Sequence, residues 1–340
     1  MPNELDQDGG RRLTGVSYAT IARHALLFII TFITTTIAGA LFPFGPVYAF
    51  PDFQPQSLQD FLLALINLPG NYALLVFNII RVIMARPEYL YYGLSFSTSL
   101  LFILLSHEMG HYIACRIYRV RSTLPFFIPT PPLVGPAGTF GAFIRIKSPF
   151  PSRRAIFDIG VAGPIAGFIA LIPVAIIGLV QMETLPPERA AEVAEGTISF
   201  ADPLLLKILA AVIGKDISLG IGNPFYFAAW LGLLVTALNL IPSGQLDGGH
   251  AIYAVFGERV HIWSGRIGFV AMAAASAVGL VFYGSPSGIL FTIILAVMMK
   301  MHHPQPYDNR PPGAGRIAVA VITAVIFILS FVPVPIRFNY

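Results

Sequence analysis

Residues 92–115 read YGLSFSTSLLFILLSHEMGHYIAC. The run is apolar over the roughly 20 residues that a helix needs to cross a bilayer, yet it closes on His107, Glu108 and His111. Ionisable side chains in such a span are costly unless they face a site or a wet cavity. His107 and His111 are four residues apart, so on a helix they share one face, one turn apart. Two imidazoles so placed can bind one metal ion. Glu108, beside them, can take a proton from water on that ion and pass it to a leaving amine.

Two plainer readings compete with that one. Average residue frequencies produce a His-Glu-x-x-His pattern in a chain this long on the order of once in a hundred sequences. The histidines could also be satisfied polar packing between helices. The apolar setting decides for the metal, because packing alone rarely places two histidines and a glutamate in such a span.

Composition supports the membrane. Of 340 residues, 56% are hydrophobic and 11% charged, against about 25% charged in a soluble domain. The mean hydropathy is +0.74, and the length suits six or seven crossings. The net charge is +4, and no basic face interleaved with aromatics marks a nucleic-acid partner. The one cysteine, Cys115, excludes an internal disulfide and cysteine-based zinc clusters.

Outward from 92–115, apolar spans are expected near 18–42, 156–181, 224–243, 265–283, 287–301 and 315–333. Residues 1–17 form a polar tail with Arg11 and Arg12, and the run after it is read as a retained helix. Residues 60–86 are apolar but interrupted by Pro69-Gly70, and read as interfacial or re-entrant. Residues 116–154 carry seven basic side chains and no acid. Within them, the Pro/Gly-broken piece Pro125 to Ile146 cannot be a helix, and 139–146 has strand-like composition. Irregular backbone at membrane depth survives only when buried in protein or lining a cavity. The glycines Gly160, Gly163 and Gly167 signal close helix packing. Residues 182–216 form an acidic loop.

Basic residues favour the cytoplasmic side. An N-terminus inside puts the 116–154 loop, Asp247, Lys300, Arg310 and Arg316 inside and the acidic loop outside; only Arg81 and Arg86 disagree. A catalytic zinc needs a third protein ligand, and Asp158, Asp247, His250 and Glu258 are the candidates. Asp247 is preferred, since it follows a span that returns to the side of His107, and Gly248 and Gly249 would let it approach the ion. Among the other histidines, His24 and His261 read as helix-end residues, and His302 and His303 as loop residues. His250 could orient Asp247 by a hydrogen bond.

His107-Glu108-Met109-Gly110-His111, followed by Asn239-x-x-Pro242 and Leu246-Asp247-Gly248, resembles the site-2 protease family of intramembrane metalloproteases. Gly138 to Lys147 and Asp158 to Pro164 resemble its plant and bacterial branch, which lacks a PDZ domain. The resemblance covers about 90–260. It implies one zinc per chain on His107, His111 and Asp247, with Glu108 as general base and Asn239 holding substrate or stabilising the oxyanion. Gly138, Thr139, Phe140 and Gly141 would belong to a strand that pairs with an unwound substrate.

The implied fold is an all-α polytopic membrane protein, six or seven helices around a three-helix catalytic core, with a membrane-embedded β-hairpin-like re-entrant element. Its parts would be a tail (1–17), a first helix with the interfacial segment (18–89), the catalytic core (90–260) and C-terminal helices (261–340). The implied activity is hydrolysis of transmembrane protein substrates within the bilayer. A bacterial plasma membrane is the default location, with the N-terminus and site toward the cytoplasm; an archaeal or plastid membrane is the alternative. No room is seen for a PDZ insert near 148–155 or in 182–223, and nothing speaks to the oligomeric state. A metal-ion transporter or an inactive, binding-only relative could use the same residues. A transporter would be expected to repeat the motif in a second half, and a pure binder has no need of Glu108.

Overall fold

The His107–His111 stretch lies near the end of a 31-residue helix, α3 (Pro87–Ile117), in the computed structural model. The structure describes residues 17–41, 57–131, 137–186, 188, 198–301, 303 and 305–338. Pro87 opens α3 where a missing N–H costs nothing, Glu88 faces the positive end of the helix dipole and Arg116 the negative end. Before it come α1 (Tyr18–Leu41) and α2 (Leu58–Ala85). After it come the strands β1 (Phe126–Pro129) and β2 (Thr139–Phe143), then α4 (Arg153–Val180). Short strands β3 (Glu183–Thr184) and β4 (Ile198–Phe200), helix α5 (Leu204–Ile213) and strand β5 (Gly220–Ile221) follow. The chain ends with α6 (Pro224–Leu240), α7 (Asp247–Phe256), α8 (Glu258–Tyr283), α9 (Ser287–Met298), α10 (Ala314–Ser330) and β6 (Ile336–Phe338).

Five of these helices, α1, α2 from Ile66, α3, α4 and α8, are long and apolar enough to cross a membrane. The expected spans at 224–243, 287–301 and 315–333 are the apolar helices α6, α9 and α10, of 17, 12 and 17 residues. The chain is a mostly helical, polytopic membrane protein. One expectation fails: residues 60–86 are not broken at Pro69-Gly70 but belong to one 28-residue helix. Ser57 caps its start, its Oγ accepting from the Asp60 N–H, and a proline inside an apolar helix bends it without ending it when the surroundings reward helix. α4 likewise runs through Pro164 and Pro173. The tail 1–16, most of the 43–60 stretch, residues 132–136, much of the acidic loop and His302 lie outside the described residues.

Helices α3, α4 and α6 form the centre. In a bilayer the lipid is as apolar as leucine, so association depends on close packing, and small residues permit it. Gly110 of α3 lies against the Ala162 carbonyl of α4, Gly178 of α4 against the Tyr226 backbone of α6, and Gly232 of α6 against Leu171 and Ile103. These contacts run α4 antiparallel to both neighbours. Fully buried Phe96, Leu100, Ile103, Leu171, Leu179, Trp230 and Leu233 fill the space between.

Helix α1 packs antiparallel on α3, with Gly39 against Phe96, Gly93 against Thr36, and the Thr36 hydroxyl donating to Ser97 Oγ at 2.8 Å. Its first half holds the β pair. His24 Nδ1 lies 2.8 Å from the Pro125 carbonyl, Phe28 meets Phe127 edge-on, and the Thr34 hydroxyl donates to the Gly138 carbonyl at 2.7 Å. β1 and β2 pair antiparallel, Phe126 opposite Phe143, with an irregularity between Phe127 and Pro129. Helix α2 touches the rest through its last turns, where Ile79 and Ile83 cluster with Ala40.

Two polar clamps gather elements at the His111 end of the bundle. Buried Arg153 donates to the Ala254 and Tyr253 carbonyls at 3.0 and 3.1 Å and to that of Asn309 at 3.3 Å, capping the end of α7. Arg316 of α10 binds Asp158 of α4 through two nitrogens at 2.9 and 2.6 Å, and Tyr118 donates to the same carboxylate.

Candidate metal centre

His107, Glu108 and His111 are buried, the two histidines on the face of α3 that meets α4. The expected glycines of α4 are what admit them. A Cβ built on Gly163 would stand 2.1 Å from His111 Nε2, one on Gly167 would stand 3.1 Å from His107 Cβ, and one on Gly160 would stand 2.8 Å from His250 Cβ. The His111 ring is fixed from behind, with Nδ1 2.7 Å from the Ile159 carbonyl. That contact makes Nδ1 the protonated nitrogen and leaves the Nε2 lone pair for a ligand.

Asp247 opens α7 after the loop that follows Leu240, the last residue of α6. Gly248 and Gly249 are needed here for a different reason than the expected approach to an ion. A Cβ on Gly248 would lie 2.1 Å from the Leu240 carbonyl oxygen and one on Gly249 2.5 Å from that of Gly244. They let the first turn of α7 lie on its own loop, which turns Asp247 back toward α3.

The three side chains converge. His107 Nε2 and His111 Nε2 are 3.1 Å apart, and each is 3.3 Å from Asp247 Oδ2. Ligands about 2.0–2.2 Å from a tetrahedral zinc stand about 3.3 Å from one another. Two neutral imidazoles and one carboxylate also form a donor set that zinc accepts, with a position to spare. This is the one group of three or more potential metal ligands of its kind among the described residues. The chain's own residues thus fit such an ion. Asn239 Nδ2 is 3.3 Å from His107 Nε2, at the edge of the same site.

A cavity of about 420 Å³ opens on the triad, lined by Glu108, Asn239, Gln245, Arg145 and His250 among others. The segment following β2 forms one wall, and the Ile144 backbone amide hydrogen-bonds the Glu108 carboxylate. Of the expected strand residues, Thr139, Phe140 and Gly141 lie in β2, with Gly138 just before it and docked on α1. The residues that reach the cavity are the next ones, Ala142 and Phe143 at the end of β2 and Ile144 to Ile146 after it.

The rival third ligands are elsewhere. Asp158 is held by Arg316 and Tyr118, and Glu258 starts α8, facing a second cavity. His250 lines the metal cavity, but its Nδ1 lies 2.7 Å from His303 Nε2 and not on Asp247. Burial lowers the His250 imidazole to about 4, so it is neutral near pH 7. His261 is 2.9 Å from the Gly244 carbonyl, so it holds the loop between α6 and α7 and does more than end a helix. Sequence reasoning missed Gln245 and Arg145. Gln245 had a signal, since it sits between two expected site residues.

The family model described as "Peptidase family M50" matches residues 95–282. Among curated proteins, "Probable zinc metalloprotease EGY1, chloroplastic" of Arabidopsis thaliana is 30% identical over 240 residues, 68% of this chain and 41% of that protein. The protein of the same description from Oryza sativa subsp. japonica is 31% identical over 238 residues, 68% of this chain and 39% of its own. The Arabidopsis "Probable zinc metalloprotease EGY2, chloroplastic" is 32% identical over 160 residues, 45% of this chain and 27% of that protein. The chain thus spans about two fifths of the length of the first two relatives.

Proposed function

Since this chain belongs to peptidase family M50, we propose that it is a zinc metalloendopeptidase that cuts membrane proteins within or near their transmembrane segments. The observation that carries the reading is the convergence of His107, His111 and Asp247 beside Glu108 in a helix long enough to span a bilayer. Zinc, when bound, would act as a Lewis acid and bring the pKa of a water it holds to about 7. Glu108 would accept the proton of the attacking water and deliver it to the leaving amine. Its burial next to two histidines keeps bulk water from competing for that role. Asn239, within reach of His107, would donate through Nδ2 to the carbonyl oxygen of the scissile bond or hold the neighbouring peptide.

A helix cannot be cut while its carbonyls are closed by internal hydrogen bonds, so substrate must present an extended segment. The pair β1–β2 is two-stranded, and one edge of β2 has no strand partner among the described residues. We read that edge, from Gly138, Thr139, Phe140 and Gly141 onward to Ile146, as the rail that an unwound substrate joins by strand addition. The rail delivers it to the cavity wall beside Glu108.

The antiparallel packing of α1 on α3 supports the orientation with N-terminus and metal centre toward the cytoplasm. α1 must end, and α3 begin, on one face of the membrane. A lone crossing by α2 between them would break that order unless residues 42–56 crossed too, so α2 is read as a membrane-surface helix. Seven crossings remain, by α1, α3, α4, α6, α8, α9 and α10. Gating by a PDZ domain is not part of this reading, and a bacterial plasma membrane remains the expected location. A transporter is disfavoured, since no second His–Glu–His element exists in the chain, and a binding-only relative has no use for Glu108. The test is purified Glu108→Gln protein in liposomes with a model transmembrane substrate. Zinc retained and cleavage lost is the expected pair; cleavage at the original rate would refute the mechanism.

A further inference from the structure

A second cavity, of about 290 Å³, lies at the metal-centre end of the bundle between the start of α8 and the end of α9. Its polar lining is Arg266, Lys300, His261, His303 and Glu258, with Gly244 beside them. Two cations and one carboxylate leave a positive balance. Neither Arg266 nor Lys300 makes an ion pair with a described residue. The Arg266 guanidinium instead lies 5.0 Å from the centre of the exposed Trp263 ring. Two cations that line one cavity and pair with no acid among the described residues call for an anion, and basic pockets between helices at the cytoplasmic face suit lipid headgroups. The apolar lining is consistent with a lipid: Ile262 begins an exposed apolar face of α8 that continues through Ile267 and Val270, where acyl chains could run.

We propose that this cavity binds the phosphate of an anionic phospholipid headgroup. Arg266 and Lys300 contact the phosphate oxygens, while Ile262 and the α8 face take the start of the chains. The site would not be isolated from the metal centre. His261 holds the Gly244 carbonyl, a Cβ on Gly244 would stand 2.4 Å from the Met298 carbonyl oxygen of α9, and Gly244 belongs to the loop that ends at Asp247. A bound headgroup would pin α8 and α9 against that loop. The inference uses the membrane setting of the chain but not its peptidase activity.

The test uses the full chain in nanodiscs of phosphatidylcholine alone or with one fifth phosphatidylglycerol. Native mass spectrometry reads the retained lipid, and thermal unfolding reads stability. Wild type should retain phosphatidylglycerol in preference to phosphatidylcholine and melt at higher temperature in its presence. A cation near an anionic lipid surface is worth about fivefold in affinity, so Arg266→Gln/Lys300→Gln should lose the preference by about tenfold or more. Arg121→Gln/Arg259→Gln, the same charge change made at exposed residues outside the cavity, should keep it. Inorganic phosphate added to phosphatidylcholine discs, if it stabilises wild type as much as phosphatidylglycerol does and the first double variant not at all, would keep the anion site but assign it a soluble source. Equal lipid retention by wild type and Arg266→Gln/Lys300→Gln, or an equal loss in the control pair, would overturn the site. Both double variants should melt alike in phosphatidylcholine alone, which shows that the fold is intact.

Discussion

Gly163 faces the imidazole of His111 so closely that no side chain can stand between α4 and that ring: a Cβ there would lie 2.1 Å from Nε2. Gly163→Ala should therefore push His111 off its position while leaving the helices formed, since alanine favours helix. Outer residues that orient a ligand typically change metal affinity by 10–100-fold, and direct displacement should cost at least that much. Competition with a chelator of known affinity measures it. Wild-type zinc affinity in Gly163→Ala would show that the helix spacing does not set the site.

The choice of Asp247 over Asp158 gives a paired prediction. Asp247→Asn should lose stoichiometric zinc with little change in helical content, because the carboxylate lies 3.3 Å from both His107 Nε2 and His111 Nε2. Asp158→Asn should keep zinc and loosen α10, because its carboxylate holds Arg316 at 2.6 Å and Tyr118. A half-buried, two-pronged ion pair of this kind should contribute about 1–3 kcal/mol. Zinc content by atomic absorption and thermal unfolding separate the two; full occupancy in Asp247→Asn would remove it as a ligand.

What could be read in advance follows from how each feature is encoded. His107, Glu108 and His111 were legible because their chemistry is carried by side-chain type and one short spacing, whereas Asp247 was chosen among four candidates by the side to which its span returns. The glycine spacing of α4 announced close packing but not its object, since His107, His111 and His250 meet Gly167, Gly163 and Gly160 only after α3, α4 and α7 are assembled. The His250–His303 contact joins residues 53 apart, and that of His24 with Pro125 joins residues 101 apart. No local pattern encodes either pairing. Pro69 misled for the opposite reason: the local rule is sound for soluble helices, but the apolar residues after it carry α2 through.

The role of α1 is one such long-range fact, and it can be tested through Thr34, whose hydroxyl donates to the Gly138 carbonyl at 2.7 Å. Thr34→Val keeps the shape and removes that bond, worth about 1 kcal/mol. If β2 is the substrate rail, kcat/KM should fall about fivefold, mainly through KM, with zinc affinity unchanged. An equal loss in kcat with KM constant would place the effect in chemistry instead of substrate docking.

Arg153, at the start of α4, should matter more to stability than any other basic residue between 116 and 154. Its guanidinium is buried and donates to three carbonyls, two of them at the end of α7. Arg153→Met fills similar space but removes all three guanidinium bonds, leaving the Tyr253 carbonyl only the Gly257 N–H, for a cost of about 2–4 kcal/mol. The neighbouring exposed Arg154→Met should change the melting temperature little. Comparable melting of the two variants would mean that the cap is not holding α7.

The end of the bundle opposite the metal centre offers a pH test. Asp202, in the loop before α5, accepts from the Tyr226 hydroxyl. Burial raises its pKa, outweighing the hydrogen bond and the nearby Lys207 and Arg337. An acid with a raised folded-state pKa contributes stability at low pH and loses it as pH climbs through the raised value. Asp202→Asn keeps an acceptor for Tyr226 and never ionises. The variant should therefore gain in melting temperature relative to wild type as pH rises. A difference that is constant with pH, or one that shrinks as pH rises, would show that the Asp202 carboxylate is not destabilised by its surroundings.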